Sequence, residues 1–528
     1  MGAALAHAVT SDKPFAASRE KFEQLVEHLS SEKVRKMKHS DLERELEAQG
    51  RELLRSLYQE YLDSRAPGEA TGTVRDAEGA ERTRKRSQDR DLETVFGTVT
   101  VSRTGYGAEG STSLHPLDAE MNLPVERYSH ELRRRAAEEA SKNSFDETVC
   151  TLARYTGARI GKRQVEELVS RAAQDFDGFY EARKRSGAAG DGTGSLVVLT
   201  SDGKGVVMRR QDLREATRKA AEKRRHKLRK RLTKGEKRNA KRMATVASVY
   251  TIEPFVRKPE EIARSLAPVH EVKSERRPRP EDKRVWASLK KPPETVLDEA
   301  FREATARDPG HDKTWVAVVD GNKTQLRILE DLSGKYGVEL VIVLDIIHVI
   351  EYLWKAGLAF HPEGSCEWEQ WVHQRLLRIL RGGASHTAAG MRRSATLRQL
   401  TPEERESVDV CAGYLLQYKR YLAYDEYLAA GLPIASGVIE GACRHLIKDR
   451  MDLTGARWSL GGAEAVLQLR ALRSSHDFDE YWSFHEASEH ERNHVAHYAD
   501  GQVPHTKEPG RPIKKPYRGK TRLDPTFI

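Results

Sequence analysis

The 528-residue sequence is poor in cysteine: Cys150, Cys366, Cys411 and Cys443 stand far apart, with no Cys-x-x-Cys pair. That argues against a disulfide framework and a structural zinc site, and it fits a reducing cytoplasm. Long apolar runs are missing too. The longest, 341–350, is broken by Asp345 and His348, too short to span a bilayer. The opening MGAALAHAV has no basic n-region, an apolar stretch shorter than a secretory signal, and no Ser or Thr at position 6 for myristoylation. There is no Walker loop, no G-x-G-x-x-G and no H-E-x-x-H, so nucleotide hydrolysis and zinc-peptidase chemistry lack their parts. At 38% hydrophobic and 32% charged, with a mean hydropathy of −0.69, the chain is too polar for a membrane bundle. It is also too rich in apolar clusters for full disorder, and its length suits about two to four domains.

What is present in excess is positive charge, and it is concentrated. The whole chain carries +10, yet residues 209–242 hold 17 Lys/Arg against 4 Asp/Glu, a net of +13. A second run, 507–522, holds 7 basic residues and one acid. A segment this charged repels itself unless a polyanion neutralises it, and phosphate neutralisation releases condensed counterions, so nucleic acid is the expected partner. Within the first run, Arg224, Arg225, Lys227, Arg229, Lys230 and Arg231 are the densest candidates for phosphate binding. The plainer reading of both runs is a solvated helix face and a tail.

Residues 1–65 read as helices, with Phe22, Leu25, Val26 and Leu29 on one apolar face. Ser40-Asp-Leu-Glu43 reads as a capping box opening a second helix, with Leu42, Leu46, Leu53, Leu57 and Tyr61 inward. Residues 66–90 read as a linker, and 93–106 (ETVFGTVTVSRTGY) as a β-hairpin around Gly97. Helices return over 128–184. There SFDETVCTLARYTGARIGKRQVEELV (144–169), opened by a capping box at Ser144, has the layout of a helix-turn-helix or of an ordinary helical hairpin. The Gly-rich stretch 187–194 marks a domain boundary. Beyond it, continuous apolar runs at 196–200, 244–252, 315–319 and 340–344 alternate with helical patterns, which indicates an α/β layer with its sheet buried on both faces. The Pro- and charge-rich stretch 257–293 reads as a surface loop. Residues 366–430 are helical, with Thr401-Pro-Glu-Glu404 as another cap.

Three acids end strand-like runs: Asp202, Asp320 and Asp345, the first two followed by glycine. Ligands of α/β sheets lie at the carboxyl ends of the strands, so these positions suit chemistry, although Asp-Gly is also a common turn pair. Glu440 lies among Val438, Ile439 and Gly441, where it either pairs with Arg444 one turn on or faces a site. Converging carboxylates are what Mg²⁺ takes, and two such ions can activate the attacking oxygen and stabilise the leaving one at phosphorus.

At these residues the sequence resembles the DDE transposases of bacterial insertion sequences, most closely the ISKra group, relatives of the Mutator-like superfamily. The resemblance covers about 90–490 and rests on SDGKGV (201–206), VAVVDGNKTQ (316–325), LDIIHVIEYLW (344–354) and ASGVIEGACRHLIKDRM with the following LTGARWS (435–459). It implies an RNase H-like α/β core with an all-α insertion, preceded by a mainly helical DNA-binding region. It implies Asp202, Asp320 and Glu440 as the catalytic, metal-binding triad, with Mg²⁺ as cofactor and Mn²⁺ as its substitute. Asp345-x-x-His348 matches a family signature and has a supporting role, for which a hydrogen bond between the two is expected ahead of metal ligation. Arg444, Arg457 and Trp458 are implied DNA contacts, Trp458 either stacking on the cleaved end or serving as a core residue. Relatives often carry paired cysteines near the 93–106 hairpin, and none occur here.

The expected organisation is N-terminal helices (1–65), a linker (66–90) and a hairpin-plus-helical DNA-binding region (91–186). The core follows in two parts, 195–350 with the basic insert 209–242, and 433–490 with the Glu440 helix. The insertion (351–432) separates them, and a basic tail (491–528) ends the chain. The expected activity is binding of inverted-repeat ends with Mg²⁺-dependent cleavage and strand transfer, by a homodimer or larger assembly on double-stranded DNA in a bacterial, nucleoid-associated setting with no membrane. A metal-dependent nuclease of the same fold, or a non-catalytic DNA-binding descendant, are the alternatives.

Overall fold

A computed structural model of the chain describes residues 14–185, 194–223, 240–265, 277–453 and 455–507. Two compact units are present. The first comprises residues 1–140, 144–168 and 482–528, and the second residues 141–143 and 169–481. Among the described residues no helix is long and apolar enough to cross a membrane.

The first unit is built on a hairpin of β1 (Arg84–Thr94) and β2 (Gly97–Gly107), joined by a two-residue turn after which Gly97 takes a positive φ of 121°. The hairpin reaches further toward the N-terminus than its sequence suggested, because β1 begins inside the expected linker. Its first eight residues, RKRSQDRD, are exposed or half-exposed and carry no apolar alternation to announce the strand. The helix His39–Arg65 packs against β2, and Leu62 joins Leu92, Val99, Val101, Leu117 and Leu123 in one core. This helix starts at His39 with Lys38 as its uncapped boundary residue, so Ser40 lies inside it and the expected capping box does not form. The apolar faces expected to turn inward do not all do so: Phe22, Val26, Leu29, Leu57 and Tyr61 are exposed. The capping box at Ser144 does form, with the Ser144 and Glu147 side chains each bonding the other's backbone. The helix it opens, Phe145–Tyr155, ends where Gly157 N–H donates to the Val95 carbonyl at the hairpin turn, 3.1 Å away. The next helix is Lys162–Ala172.

The second unit is a mixed sheet with helices packed on it. Its strands are β3 (Leu196–Val207), β4 (Lys241–Ile252), β5 (Glu281–Ser288), β6 (Thr314–Val319) and β7 (Leu340–Leu344). They lie in the order β5-β4-β3-β6-β7, with β4 antiparallel to both β3 and β5 and with β6 and β7 parallel to β3. The first six residues of β3 and the last five of β6 are all buried, as a sheet covered on both faces requires. β5 lies inside the stretch that reads as a loop. Its first four residues, Glu281-Asp-Lys-Arg284, are charged, and Arg284 is nonetheless buried because it pairs with Glu303 and lies over the Tyr180 ring.

The helix Pro293–Arg307 packs on β3 and β4, and Leu460–Ser474 on β5. The helix Lys323–Tyr336 connects β6 to β7, burying Leu326, Leu329 and Leu332. Between β7 and the Glu440 helix the chain is helical: Ile346–Gly357, Cys366–Leu380, Ala384–Leu397, Pro402–Gln417 with the expected box at Thr401, and Tyr424–Ala429. The Gly-rich stretch at 187–194 does not separate the units. Helix Phe176–Arg185 belongs with the sheet because Tyr180 and Arg183 both bond Asp477, at 2.8 and 2.6 Å, and Lys291 pairs with Asp177.

Candidate active site

Strand register brings the acids together. Thr200 of β3 pairs with Val318 of β6, so Asp202, two residues on, is level with Asp320 and on the same face. Val319 of β6 pairs with Leu344 of β7, so Asp345 is level with Asp320 in turn. Asp202 does not end its strand, as its sequence context suggested. β3 runs on to Val207 because β4 continues to pair with it, Asp202 opposite Val246, while β6 stops short. The β6 side of Asp202 is left open, and that opening makes the crevice. After Asp320 the chain turns through Gly321, whose φ is 89°; a Cβ there would stand 2.9 Å from Leu344 Cδ1.

Glu440 reaches this crevice from a helix that packs on β3 and β4. The helix begins Gly437–Ala442 and passes through a π-helical turn, Cys443–Lys448, a distortion that recurs at functional sites. Glu440 and Cys443, three residues apart, share a face. The Cys443 thiol donates to Asp202 Oδ2 at 3.2 Å. Burial and the Asp202 charge push that thiol well above its usual range. Glu440 itself is pushed up by partial burial and by the charges of Asp345, Glu351 and Asp202, with His348 working against them.

The three expected ligands and Asp345 differ in how their oxygens are used. Asp202 accepts from its neighbour Gly203 N–H at 2.5 Å and from the Cys443 thiol, a weak donor. Asp320 accepts at Oδ1 from Asn322 N–H at 2.9 Å. Among the described residues neither they nor Glu440 has a Lys or Arg partner. Asp345, by contrast, is fully buried and saturated. Oδ1 caps the helix Ile346–Gly357 through Ile347 N–H at 2.9 Å, and Oδ2 takes both the N–H and the hydroxyl of Ser436. The expected Asp345–His348 hydrogen bond is therefore replaced, since both Asp345 oxygens are spent elsewhere. His348 is half-buried one turn into the same helix, near enough to work against the rise in Glu440's proton affinity.

Oxygen ligands, two of them half-exposed and one exposed, with no Lys or Arg ion pair among the described residues, suit a hard divalent ion. One oxygen from each of Asp202, Asp320 and Glu440 does not lie within 4.8 Å of the other two, so a single ion is not gripped by all three as they stand. Two ions about 3.5–4 Å apart, each with ligands about 2.1 Å away, tolerate a wider spread.

The aromatic wall beside the acids was not singled out in the sequence. Tyr414 donates to the Asp320 carbonyl at 3.3 Å and stacks on Tyr352 with ring centroids 4.1 Å apart, and Tyr424 donates to the Leu344 carbonyl at 2.7 Å. Ser436 and Cys443 were missed as well, although their spacing from Glu440 places them on its helix or at its start.

The expected DNA contacts divide. Arg444 and Arg457 are exposed, and Arg444 faces Asp449 at 4.0 Å rather than Glu440. Trp458 is a core residue instead of a stacking platform. It is buried, its indole N–H donates to the Met451 carbonyl at 3.0 Å, and Arg450 lies over its ring. Its backbone continues the end of β3, Trp458 N–H bonding the Val207 carbonyl. Arg224, Arg225, Lys227, Arg229, Lys230 and Arg231 lie outside the described residues, as does the second basic run, 507–522, beyond Lys507. No protein-family model matches the chain, and a search of curated proteins gave no match.

Proposed function

We propose that the protein is a DDE-type DNA transposase that uses Asp202, Asp320 and Glu440 with Mg²⁺, or Mn²⁺ in its place. The observation that carries this reading is the level placement of Asp202 and Asp320 on neighbouring parallel strands, with Glu440 brought over them by its own helix. The sheet, a three-stranded antiparallel run extended by two parallel strands, is consistent with an RNase H-like core. The helices between β7 and Glu440 are consistent with the all-α insertion.

Bound divalent ions would activate the attacking oxygen and stabilise the leaving one in phosphoryl transfer. The chain's own residues prepare the site. Unneutralised carboxylates at Asp202, Asp320 and Glu440 attract cations. Cys443 orients Asp202 through its thiol hydrogen bond, and Asp345 fixes the start of the Glu440 helix through Ser436. The basic run opens at Arg209, two residues past the end of β3, so its charge follows the Asp202 strand directly in the sequence. Arg444 and Arg457 add exposed cations on the Glu440 side. Double-stranded DNA, as element ends and as target, is the substrate, engaged by a homodimer or larger assembly.

The test is cleavage and joining of DNA carrying the element's ends by the full chain. Asp202→Ala, Asp320→Ala or Glu440→Ala abolishes Mg²⁺-dependent cleavage and leaves end binding within about threefold of the parent. An Asp320→Ala protein that still joins ends overturns the assignment. A parent protein that cuts without ever joining is a metal-dependent nuclease instead.

A further inference from the structure

A third concentration of positive charge lies inside the helical segment between β7 and Glu440. Residues 370–402 hold six arginines and no Asp, Glu or Lys. Two of the six are spent on acids from outside that stretch: Arg381 pairs with Glu260 at 2.6 Å and Arg392 with Asp409 at 3.3 Å. Arg375, Arg378 and Arg398 have no carboxylate partner among the described residues.

Packing of two rings brings these three together from different elements. Trp371, Arg375 and Arg378 follow at i, i+4 and i+7 on the helix Cys366–Leu380 and so share a face. The Arg375 guanidinium lies over the Trp371 ring at 4.2 Å and donates to the Trp371 carbonyl at 3.3 Å. Trp371 in turn stacks on Phe360, with ring centroids 5.3 Å apart. Arg398, just past the helix Ala384–Leu397, lies over the Phe360 ring at 5.2 Å and donates to the Phe360 carbonyl at 2.9 Å. The rings and carbonyls thus hold two guanidiniums in place and leave their charge uncompensated. Burial, and then the charges of Arg378 and Arg398, push the Arg375 guanidinium below the usual arginine range, so the three cations act on one another. Arg378 and Arg398 are exposed and Arg375 is half-buried, which leaves the cluster open to an anion from solvent. Fixed guanidiniums are the side chains best suited to phosphate oxygens.

We propose that Arg375, Arg378 and Arg398 clamp the phosphate backbone of the substrate duplex at a distance from the phosphate that reacts. The inference rests on the DNA phosphoryl-transfer reading and adds to it a backbone contact on the helical segment before Glu440. The helix Ile346–Gly357 starts beside Asp345, level with Asp320, and Phe360 lies just past its far end, about 18 Å away. A DNA duplex covers that distance in about five base pairs, and its persistence length of about 150 base pairs lets it do so unbent. Contacts to phosphate read no sequence, so the clamp takes any duplex.

The experiment uses the full chain carrying Glu440→Gln, so that the probe stays intact, with Mg²⁺ present. Fluorescence anisotropy measures binding to a labelled duplex of random sequence across a salt series. Arg378→Gln with Arg398→Gln should weaken binding about tenfold and flatten the log–log salt slope by about 1.8, or 0.9 for each phosphate released. Arg381→Gln with Arg392→Gln removes the same charge from the same stretch at positions already paired with acids, and binding should stay within about twofold of the parent. Arg378→Lys with Arg398→Lys should restore the slope, which a folding defect would not allow. An unchanged slope in the Arg378 and Arg398 glutamine pair overturns the clamp. So does an equal loss in both glutamine pairs, because net charge alone then accounts for it, and so does a loss that lysine fails to restore. The transposase reading stands in each of these cases. A parent protein that does not bind the duplex overturns the DNA reading and the clamp together.

Discussion

Ser436 donates its backbone N–H, at 3.2 Å, and its hydroxyl to the same oxygen of Asp345, 91 residues earlier in the chain. The other Asp345 oxygen caps the helix Ile346–Gly357, and Ile346 N–H bonds the Ile434 carbonyl at 2.9 Å. One buried carboxylate thus fastens the end of β7 to the segment that leads into the Glu440 helix. Of the acids that converge here, it is the fully buried one, and it accepts from three donors.

Asp345→Ala should accordingly behave as a structural lesion. It removes a helix cap, worth about 1 kcal/mol, and leaves the Ser436 donors unsatisfied, costing about 1–3 kcal/mol more. Thermal denaturation of the metal-free protein should show a clear loss for Asp345→Ala and little change for Asp202→Asn. Equal, small effects from the two would place Asp345 among the metal ligands.

Glu440 carries the opposite signature. Partial burial and the neighbouring Asp345, Glu351 and Asp202 charges raise its proton affinity in the folded state. The folded protein therefore binds that proton more tightly than the unfolded chain, and stability falls as pH rises from the ordinary carboxylate range through the raised value. Without divalent metal, Glu440→Gln should melt higher than the parent at neutral pH, with the gap closing in acid. Melting curves across pH check this, and a variant that melts lower at neutral pH contradicts it.

The second unit also carries a buried ion pair whose loss on acidification is readable. Burial alone would raise Glu303, but the Arg284 and Arg307 charges outweigh it and hold its carboxyl down at about 2. That contribution is present above the ordinary carboxylate range and is lost as pH falls toward about 2. Glu303→Ala leaves Arg284 buried without its partner and should cost about 3–5 kcal/mol. Urea denaturation at neutral pH measures the loss, and a cost under about 1 kcal/mol would show that Arg284 finds another partner.

Much of the candidate site could be read in advance, because strand ends and Asp-Gly pairs are local signals. Asp202 and Asp320 were legible from apolar runs that stop at an acid, and Glu440 from its apolar surroundings together with the resemblance. What is set by distant partners was not. Asp345-x-x-His348 has helical spacing, so a bond between the two was the local expectation, yet Ser436 holds the carboxylate from another part of the chain. β5 was hidden because its leading residues are charged and Arg284 is neutralised only by Glu303, on a helix that follows. Trp458 read as a DNA contact with a core role as the plainer alternative, and its burial, the packing of Arg450 and the bond to Met451 decide for the core. The N-terminal helices show the converse error. Phe22, Val26 and Leu29 have helical periodicity, but periodicity does not guarantee a partner, and they are exposed.

The basic run offers the last prediction, drawn from its charge alone. Residues 209–242 carry a net +13 and begin just past β3, so their cations stand within the sequence neighbourhood of Asp202. Cations on phosphates fix register and supply affinity without reading sequence. Neutralising Arg224, Arg225, Lys227, Arg229, Lys230 and Arg231 together should therefore weaken binding to end DNA and random DNA alike. The log–log salt dependence on duplex DNA should flatten by about 0.9 for each phosphate that the variant no longer neutralises. Binding to both DNAs across a salt series separates the alternatives. If the variant loses only its preference for the ends while the slope holds, the segment reads bases and does not act as an electrostatic clamp.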